Sequence, residues 1–178
     1  MRLLVDTQAF LWFMAGDARL SPSARRALEE DDGEWWLSAA SVWELSIKSS
    51  LKRLVLPTPA AEYVAEKVQA GLRVLSVEWV HAAAVERLPF HHRDPLDRLL
   101  VAQAQTERLA LVTGDSVFRR YGVRVDQKPH SLYSPQSGSG ASKSSPIVMR
   151  PSSLPKRRPV RPGAGRNSAT GRPRFVIT

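Results

Sequence analysis

Four acidic residues stand beside short apolar runs that are far apart along the chain. Carboxylate oxygens are the ligands that hard divalent cations such as Mg²⁺ and Mn²⁺ prefer. Gathered in one place, four carboxylates would repel one another unless a cation neutralised them. The chain has no cysteine and only four histidines, so an oxygen-ligand site is the metal site it can most readily build. The four are Asp6, Glu44, Asp97 and Asp115.

A structural role competes with this interpretation at several of these positions. Asp6 and Asp115 each follow an apolar run and precede a helical pattern, where an aspartate often caps the helix. Asp94, before Pro95, is a further natural cap, and Asp97 three positions later can bond back to it. Capping does not exclude metal binding, because one carboxylate can do both.

Glu44 is different because it lies in the middle of a predicted helix. Its structural alternative is an exposed pair with Lys48 one turn later. The flanking Trp43, Leu45 and Ile47 leave little room for a fully solvated face, so both interpretations stay open.

Several other residues are candidates for supporting roles. Thr113 lies two residues before Asp115, and Arg98 follows Asp97. Arg98 and Lys48 could hold a phosphate, or else be solvated or salt-bridged. Ser38 and Ser41 could bind phosphate, although helix capping is favoured, and His91 and His92 are disfavoured as metal ligands.

The apolar spacing predicts strands that alternate with helices, as in an α/β fold with a mostly parallel sheet of about five strands and helices on both faces. In such sheets ligands bind outside the carboxyl ends of the strands, where Asp6 and Asp115 are expected. The predicted strands are 3–5, 35–38, 73–77, 111–113 and 123–125, and the predicted helices are 7–15, 22–30, 39–52, 58–70, 80–88, 95–109 and 115–121.

The charge divides the 178 residues into two parts. Residues 1–126 hold 16 basic and 17 acidic residues and form a domain of nearly neutral charge, whereas residues 127–178 hold ten basic residues and no acid. The second part contains eight prolines, five glycines and ten serines, a composition that predicts disorder. It is either a genuine basic arm that binds RNA phosphates or the product of a frameshift or read-through.

The chain lacks an apolar run of roughly 18 residues, so no membrane helix is expected. It also lacks a basic leader with a cleavage site, and we expect a cytoplasmic protein. The aromatic residues Phe10, Trp12 and Phe13 are expected in the core, with a dimer or partner surface as the alternative.

Four segments in this order resemble the PIN-domain ribonucleases, and most closely the VapC-like toxins of type II toxin–antitoxin pairs. The resemblance covers residues 1 to about 125. It is carried by Leu4-Val5-Asp6-Thr7, by Ser38-Ala39-Ala40-Ser41-Val42-Trp43-Glu44-Leu45, by His92-Arg93-Asp94-Pro95-Leu96-Asp97-Arg98-Leu99-Leu100 and by Val112-Thr113-Gly114-Asp115.

This resemblance implies a three-layer α/β/α fold and an endoribonuclease that depends on magnesium (Mg²⁺) or manganese (Mn²⁺). Asp6, Glu44, Asp97 and Asp115 match the acidic quartet of the family, Thr113 matches a small hydroxyl residue beside the last acid, and Asp94 is an additional acid. The implied partners are an RNA substrate, a small antitoxin protein and a second copy of the chain in a homodimer. The alternatives are a nuclease for another nucleic acid, such as structured DNA, and an inactive RNA- or protein-binding module.

Overall fold

The computed structural model describes residues 2–30, 33–123 and 147–149. Six strands and six α-helices lie in these ranges, with short 3-10 helices at Val85–Arg87 and Ser116–Tyr121. The strands are β1 (Arg2–Val5), β2 (Glu34–Ser38), β3 (Leu54–Val55), β4 (Arg73–Leu75), β5 (Ala110–Val112) and β6 (Ile147–Val148). The helices are α1 (Thr7–Ala15), α2 (Pro22–Glu29), α3 (Ala39–Ser50), α4 (Ala60–Gln69), α5 (Trp79–Ala84) and α6 (Pro95–Glu107).

Four parallel strands form the main sheet in the order β4-β2-β1-β5. The register places Leu4 of β1 beside Trp36 of β2 and Leu111 of β5. Because all four strands run the same way, β1 and β5 end at one edge and deliver Asp6 and Thr113 there. The predicted parallel α/β sheet is confirmed with four strands. Of the predicted fifth strand, Val123 is not in a strand and 124–125 lie outside the described residues.

Side chains on both faces of this sheet are buried, which is why its strands read as continuous apolar runs. Leu3 and Val5 point into one cluster with Phe10 and Trp35. Leu4 between them points into a second cluster on the other face, with Leu100, Leu111 and Phe118 among its members. Helical residues close both clusters, so the expected three-layer arrangement is present.

The aromatic residues of α1 belong to the core, as expected. Phe10 and Phe13 are buried, and Phe13 meets Trp35 edge to face with ring centroids 5.8 Å apart. Trp12 is partly buried, packs against the same cluster and lies 5.3 Å from the Arg19 guanidinium. Phe10 and Phe13 are therefore not available for the alternative partner surface. In the described ranges no helix has the length and apolar character needed to cross a bilayer.

A short piece of the basic tail folds against the domain. The strand β6 pairs in parallel with β3, the Met149 N–H donates to the Val55 carbonyl at 2.9 Å, and the Met149 side chain is buried in the core. Residues 147–149 lie in the segment for which the composition predicted disorder, and there the chain pairs with β3 and buries the Met149 side chain. The remaining tail residues lie outside the described ones.

Candidate active site

Asp6 lies where β1 ends and α1 begins. Its N–H donates to the Val112 carbonyl at 3.0 Å, which ties it to the end of β5. Its Oδ1 accepts from the Gln8 N–H at 3.3 Å, so the predicted helix cap is present. The second oxygen, Oδ2, accepts from the Thr113 hydroxyl at 3.0 Å. One oxygen thus holds the helix start and the other faces the end of β5.

Thr113 connects two of the predicted acids. It is 1% exposed, and its Oγ1 also accepts from the Asp115 N–H at 3.2 Å. Asp115 in turn caps the 3-10 helix at Ser116–Tyr121, because its Oδ1 accepts from the Val117 N–H at 2.8 Å. Thr113 therefore positions Asp6 and Asp115, which is a more specific role than a small hydroxyl neighbour.

Asp94 caps α6 as predicted, with its Oδ1 accepting from the Leu96 N–H at 2.8 Å. Asp97 does not form the capping box expected from its spacing. Its Oδ2 instead lies 3.1 Å from His92 Nδ1, and the Asp94 N–H also approaches that nitrogen at 3.3 Å. The Asp97 carboxylate therefore lies beside the His92 ring and does not bond back to the N–H of the cap residue.

His92 joins two of the acids. Its Nδ1 contacts Asp97, and its Nε2 lies 2.9 Å from Asp115 Oδ2. The centroid of the His92 ring lies 5.7 Å from that of the Phe118 ring. The backbone N–H of His92 donates to the Tyr121 hydroxyl at 2.7 Å. The sequence singled out His92 only as a disfavoured metal ligand. Its position before the Asp94 cap is the one signal that places it near Asp97.

Glu44 reaches the site from α3, where it forms the expected pair with Lys48 at 2.7 Å. Its carboxylate is nevertheless close enough to raise the pKa of Asp6 and the pKa of Asp97 by repulsion. The predicted pair with Lys48 is therefore present, and the Glu44 charge also acts on Asp6 and Asp97. The pair screens its charge, and the side chain still belongs to the acidic cluster.

Burial and mutual repulsion disturb two of the acids. Burial raises the pKa of Asp6 from 3.8 to about 6, although the Thr113 and Gln8 hydrogen bonds act in the opposite direction. Burial also raises the pKa of Asp97 to about 7; His92 lowers it, and the charges of Asp6, Asp94 and Glu44 raise it further. Carboxyl groups whose pKa is raised by burial and by neighbouring charges are more common at functional sites than elsewhere in proteins.

The residues present fit a hydrated divalent cation in their chemistry. Asp6, Glu44 and Asp97 supply carboxylate oxygens, and two buried hydroxyls beside them, on Thr7 and Ser41, have no hydrogen-bond partner among the described residues. Orphaned hydroxyls of this kind suit the water shell that Mg²⁺ keeps. Within the same residues, however, no three His, Asp or Glu side chains are already placed as a ligand set. His92 occupies one oxygen of Asp97 and one of Asp115.

Arg98 and Ser38 are structural. Arg98 is 8% exposed, and its guanidinium donates to the carbonyls of Pro89 at 2.9 Å, Val85 at 3.0 Å and Leu88 at 3.2 Å. The prediction that Arg98 holds phosphate or is solvated is therefore wrong, since its donors are used by buried backbone. Ser38 caps α3 as favoured, whereas the Ser41 hydroxyl caps nothing.

The fold and the site define a parallel α/β protein with a carboxylate cluster at the carboxyl edge of its sheet. The model of the PIN domain family matches residues 3–124. The chain therefore belongs to the PIN domain family, and the resemblance seen in the sequence is confirmed.

One relative of known name is Ribonuclease VapC22 of Mycobacterium tuberculosis (strain ATCC 25618 / H37Rv). It is 30% identical over 120 residues, which cover 67% of this chain and 91% of the relative.

Solved structures show the same fold at low identity. VapBC2 of Rickettsia felis, bound to a DNA fragment from its promoter, gives a TM-score of 0.53 at 15% identity and covers 70% of this chain and 97% of that one. VapC20 of Mycobacterium tuberculosis, a sarcin-ricin loop cleaving toxin, gives a TM-score of 0.53 at 21% identity. The match covers 71% of this chain and 99% of VapC20. DNA-bound VapBC of Salmonella typhimurium gives a TM-score of 0.52 at 18% identity. The match covers 70% of this chain and 96% of the matched chain.

Proposed function

We propose that this protein is an endoribonuclease that depends on Mg²⁺ or Mn²⁺ and acts as the toxin of a toxin–antitoxin pair. The observation that carries the proposal is the connected acidic cluster. Asp6 accepts a hydrogen bond from Thr113, and Thr113 accepts one from the Asp115 backbone. The side chain of His92 then contacts the carboxylates of both Asp115 and Asp97. The similarity to Ribonuclease VapC22 supports RNA as the substrate.

In this proposal Asp6, Glu44, Asp97 and Asp115 hold the cation. A bound divalent ion would supply an activated water and stabilise charge on the phosphate that is attacked. The protein needs no nucleophile of its own, which agrees with the absence of cysteine. Thr113 fixes the side chain of Asp6 and the backbone of Asp115, and α1 and α6 hold Asp6 and Asp97 on rigid helix starts.

Lys48 is the cation best placed to meet a phosphate in this site. Its ammonium group is bonded to Glu44 at the edge of the cluster, with a side chain that is 35% exposed. Its charge lowers the pKa of Asp6, so it acts on the same group that a metal would. Lys48 thus replaces Arg98 as the proposed phosphate contact.

The test is cleavage of a labelled RNA by the full chain with Mg²⁺, with Mn²⁺ and with EDTA. Asp6→Asn should abolish cleavage while α1 stays capped, because asparagine keeps the accepting oxygen. Asp17→Asn is the matched control, since Asp17 pairs with Arg19 beyond the other end of α1, about 15 Å away along the helix.

Three results would overturn the proposal. Equal cleavage by wild type and Asp6→Asn would refute the metal-site assignment. Cleavage of structured DNA with no cleavage of RNA would favour the alternative nuclease. A wild type that neither cleaves RNA nor binds Mn²⁺ would favour the inactive binding module.

An antitoxin partner follows from the proposed role, and the similarity in fold to the toxin in VapBC complexes agrees with it. We also propose a homodimer in the cytoplasm. Co-expression with the product of the adjacent gene, followed by purification of a complex and a cleavage assay, tests the partner. Sedimentation of the isolated chain tests the dimer.

A further inference from the structure

Phe90 lies in the loop before α6, two residues before His92, with its ring in solvent. The side chain is 75% exposed, yet one face of the ring lies 4.9 Å from the Arg98 guanidinium. Exposing an aromatic ring of this size costs free energy that burial elsewhere would recover. The residue is therefore a candidate for contact with a ligand.

The segment that carries Phe90 is held on both sides. Arg98 fixes the carbonyls of Val85, Leu88 and Pro89 on one side, as described above. On the other side the His91 N–H donates to the Pro89 carbonyl at 2.9 Å, and the His91 ring meets the Tyr121 ring at 5.0 Å. The ring is thus presented from a pre-organised loop, which lowers the entropy lost when something binds to it.

The position of Phe90 relates it to the acids through two short paths. Two residues later, His92 contacts both Asp97 and Asp115. Arg98, under the ring, follows Asp97 by one residue and so points about 100° around α6 from it. A group stacked on Phe90 would therefore lie next to the acidic cluster and not over it.

We propose that Phe90, backed by Arg98, is a stacking site for a base of single-stranded RNA that flanks the cleaved phosphate. This inference rests on the proposed function and names one of its substrate contacts. An aromatic ring with one open face is the usual platform for a base, and stacking tolerates any base sequence. Arg93 and Arg120, both exposed near this loop, supply positive charge for the backbone.

A nucleic-acid base fits this surface better than a protein partner does. The residues that follow Phe90 are His91, His92, Arg93 and Asp94, so the ring stands next to polar groups. A protein interface of useful affinity needs a contiguous apolar centre. A base needs only the open ring face and nearby cations.

The experiment measures binding of a short labelled single-stranded RNA to the full chain in EDTA, where no cleavage occurs, and cleavage of the same RNA with Mg²⁺. Phe90→Ala should weaken binding about 10-fold, as expected for the loss of one stacked base. In cleavage it should raise KM with kcat nearly unchanged. Phe90→Trp should retain wild-type binding, whereas Phe90→Leu should behave like Phe90→Ala.

Trp79→Ala is the matched control, because Trp79 is 79% exposed but lies at the other end of α6. Two residues after it, His81 contacts Glu107 at 3.0 Å, and Glu107 is ten positions along α6 from Asp97, about 15 Å. This variant should bind and cleave RNA like wild type.

The outcomes separate this inference from the proposed function. If wild type cleaves RNA and Phe90→Ala or Phe90→Leu matches its affinity and KM, the stacking site is wrong and the function stands. If Phe90→Ala changes only the sedimentation of the chain, the ring is a protein contact and the stacking site is likewise wrong. If wild type neither binds nor cleaves RNA, both proposals fail.

Discussion

The Thr113 hydroxyl donates to Asp6 Oδ2 at 3.0 Å and so joins the ends of two neighbouring strands, β5 and β1. The Thr113 hydroxyl oxygen also accepts a hydrogen bond from the Asp115 N–H. A single buried hydroxyl therefore fixes the side chain of one acid and the backbone of another. The pairing is possible because parallel strands end at one edge of the sheet.

Thr113→Val should weaken both the fold and the site. Valine keeps the shape of threonine but leaves a buried carboxylate oxygen and a backbone N–H without their partner. We expect a loss of about 1–3 kcal/mol in the free energy of unfolding and about 10-fold slower RNA cleavage, as for other residues that orient metal ligands. Thr113→Ser, which keeps the hydroxyl, should cleave RNA at close to the wild-type rate. Equal rates for all three proteins would contradict the positioning role.

The metal-free protein should lose stability through Asp6 between about pH 4 and pH 7. The folded state holds this proton more tightly than the unfolded chain, because the pKa of Asp6 rises from 3.8 to about 6 on folding. Below pH 3.8 the Asp6 carboxyl is protonated in both the folded and the unfolded state, so its ionisation does not lower the free energy of unfolding. Above the higher value it is ionised in both, and its burial lowers the free energy of unfolding by about 3 kcal/mol.

Asp6→Asn isolates this contribution from those of the other acids. In EDTA the variant should melt above wild type at pH 8, and its advantage should shrink toward zero near pH 4. Thermal unfolding across this range measures the difference. An advantage that does not change with pH would show that the Asp6 charge is not the cause.

Binding of Mg²⁺ should change the surroundings of His92. The ion and the imidazole compete for the same oxygens of Asp97 and Asp115. In a Mg²⁺ titration followed by imidazole ¹H–¹⁵N spectra, the His92 signals should move and those of His81, bonded to Glu107, should stay in place. Unmoved His92 signals at a metal concentration that saturates the protein by calorimetry would contradict this arrangement.

Removing the tail should destabilise the domain, although the tail is outside the catalytic cluster. A chain ending at residue 126 loses β6 and the buried Met149 side chain, and we expect a loss of about 2 kcal/mol or more. A chain ending at residue 150 keeps both and is the control. Full-length Met149→Ala should reproduce most of the loss in a denaturant titration. Equal stability of the two truncated chains would contradict the docking of β6.

Local chemistry made much of the site predictable. Asp6, Asp94 and Asp115 cap their helices as expected, because capping depends on residues within one turn of the chain. The alternation of apolar runs and helical patterns was sufficient for the parallel α/β sheet. Glu44 stood out because no capping role was available in the middle of α3.

The contacts that the sequence could not supply join residues that are distant along the chain. The local spacing of Asp97 allowed a capping box, but its carboxylate lies beside the His92 ring instead. The chemistry of Arg98 allowed a phosphate contact, and only the path of the loop before α6 shows that three carbonyls use it. Composition alone predicted disorder where Met149 is buried.

The sequence by itself therefore determined the sheet and the candidate acids, because these depend on residue type, periodicity and spacing, and its resemblance to the PIN-domain ribonucleases indicated the family. The tertiary structure decided which groups meet: Thr113 with Asp6, His92 with two acids, and Arg98 with the Phe90 ring. The physical reason is that capping and burial preferences are encoded within a few residues. Hydrogen bonds between strand ends and loops depend on how the whole chain closes around its sheet.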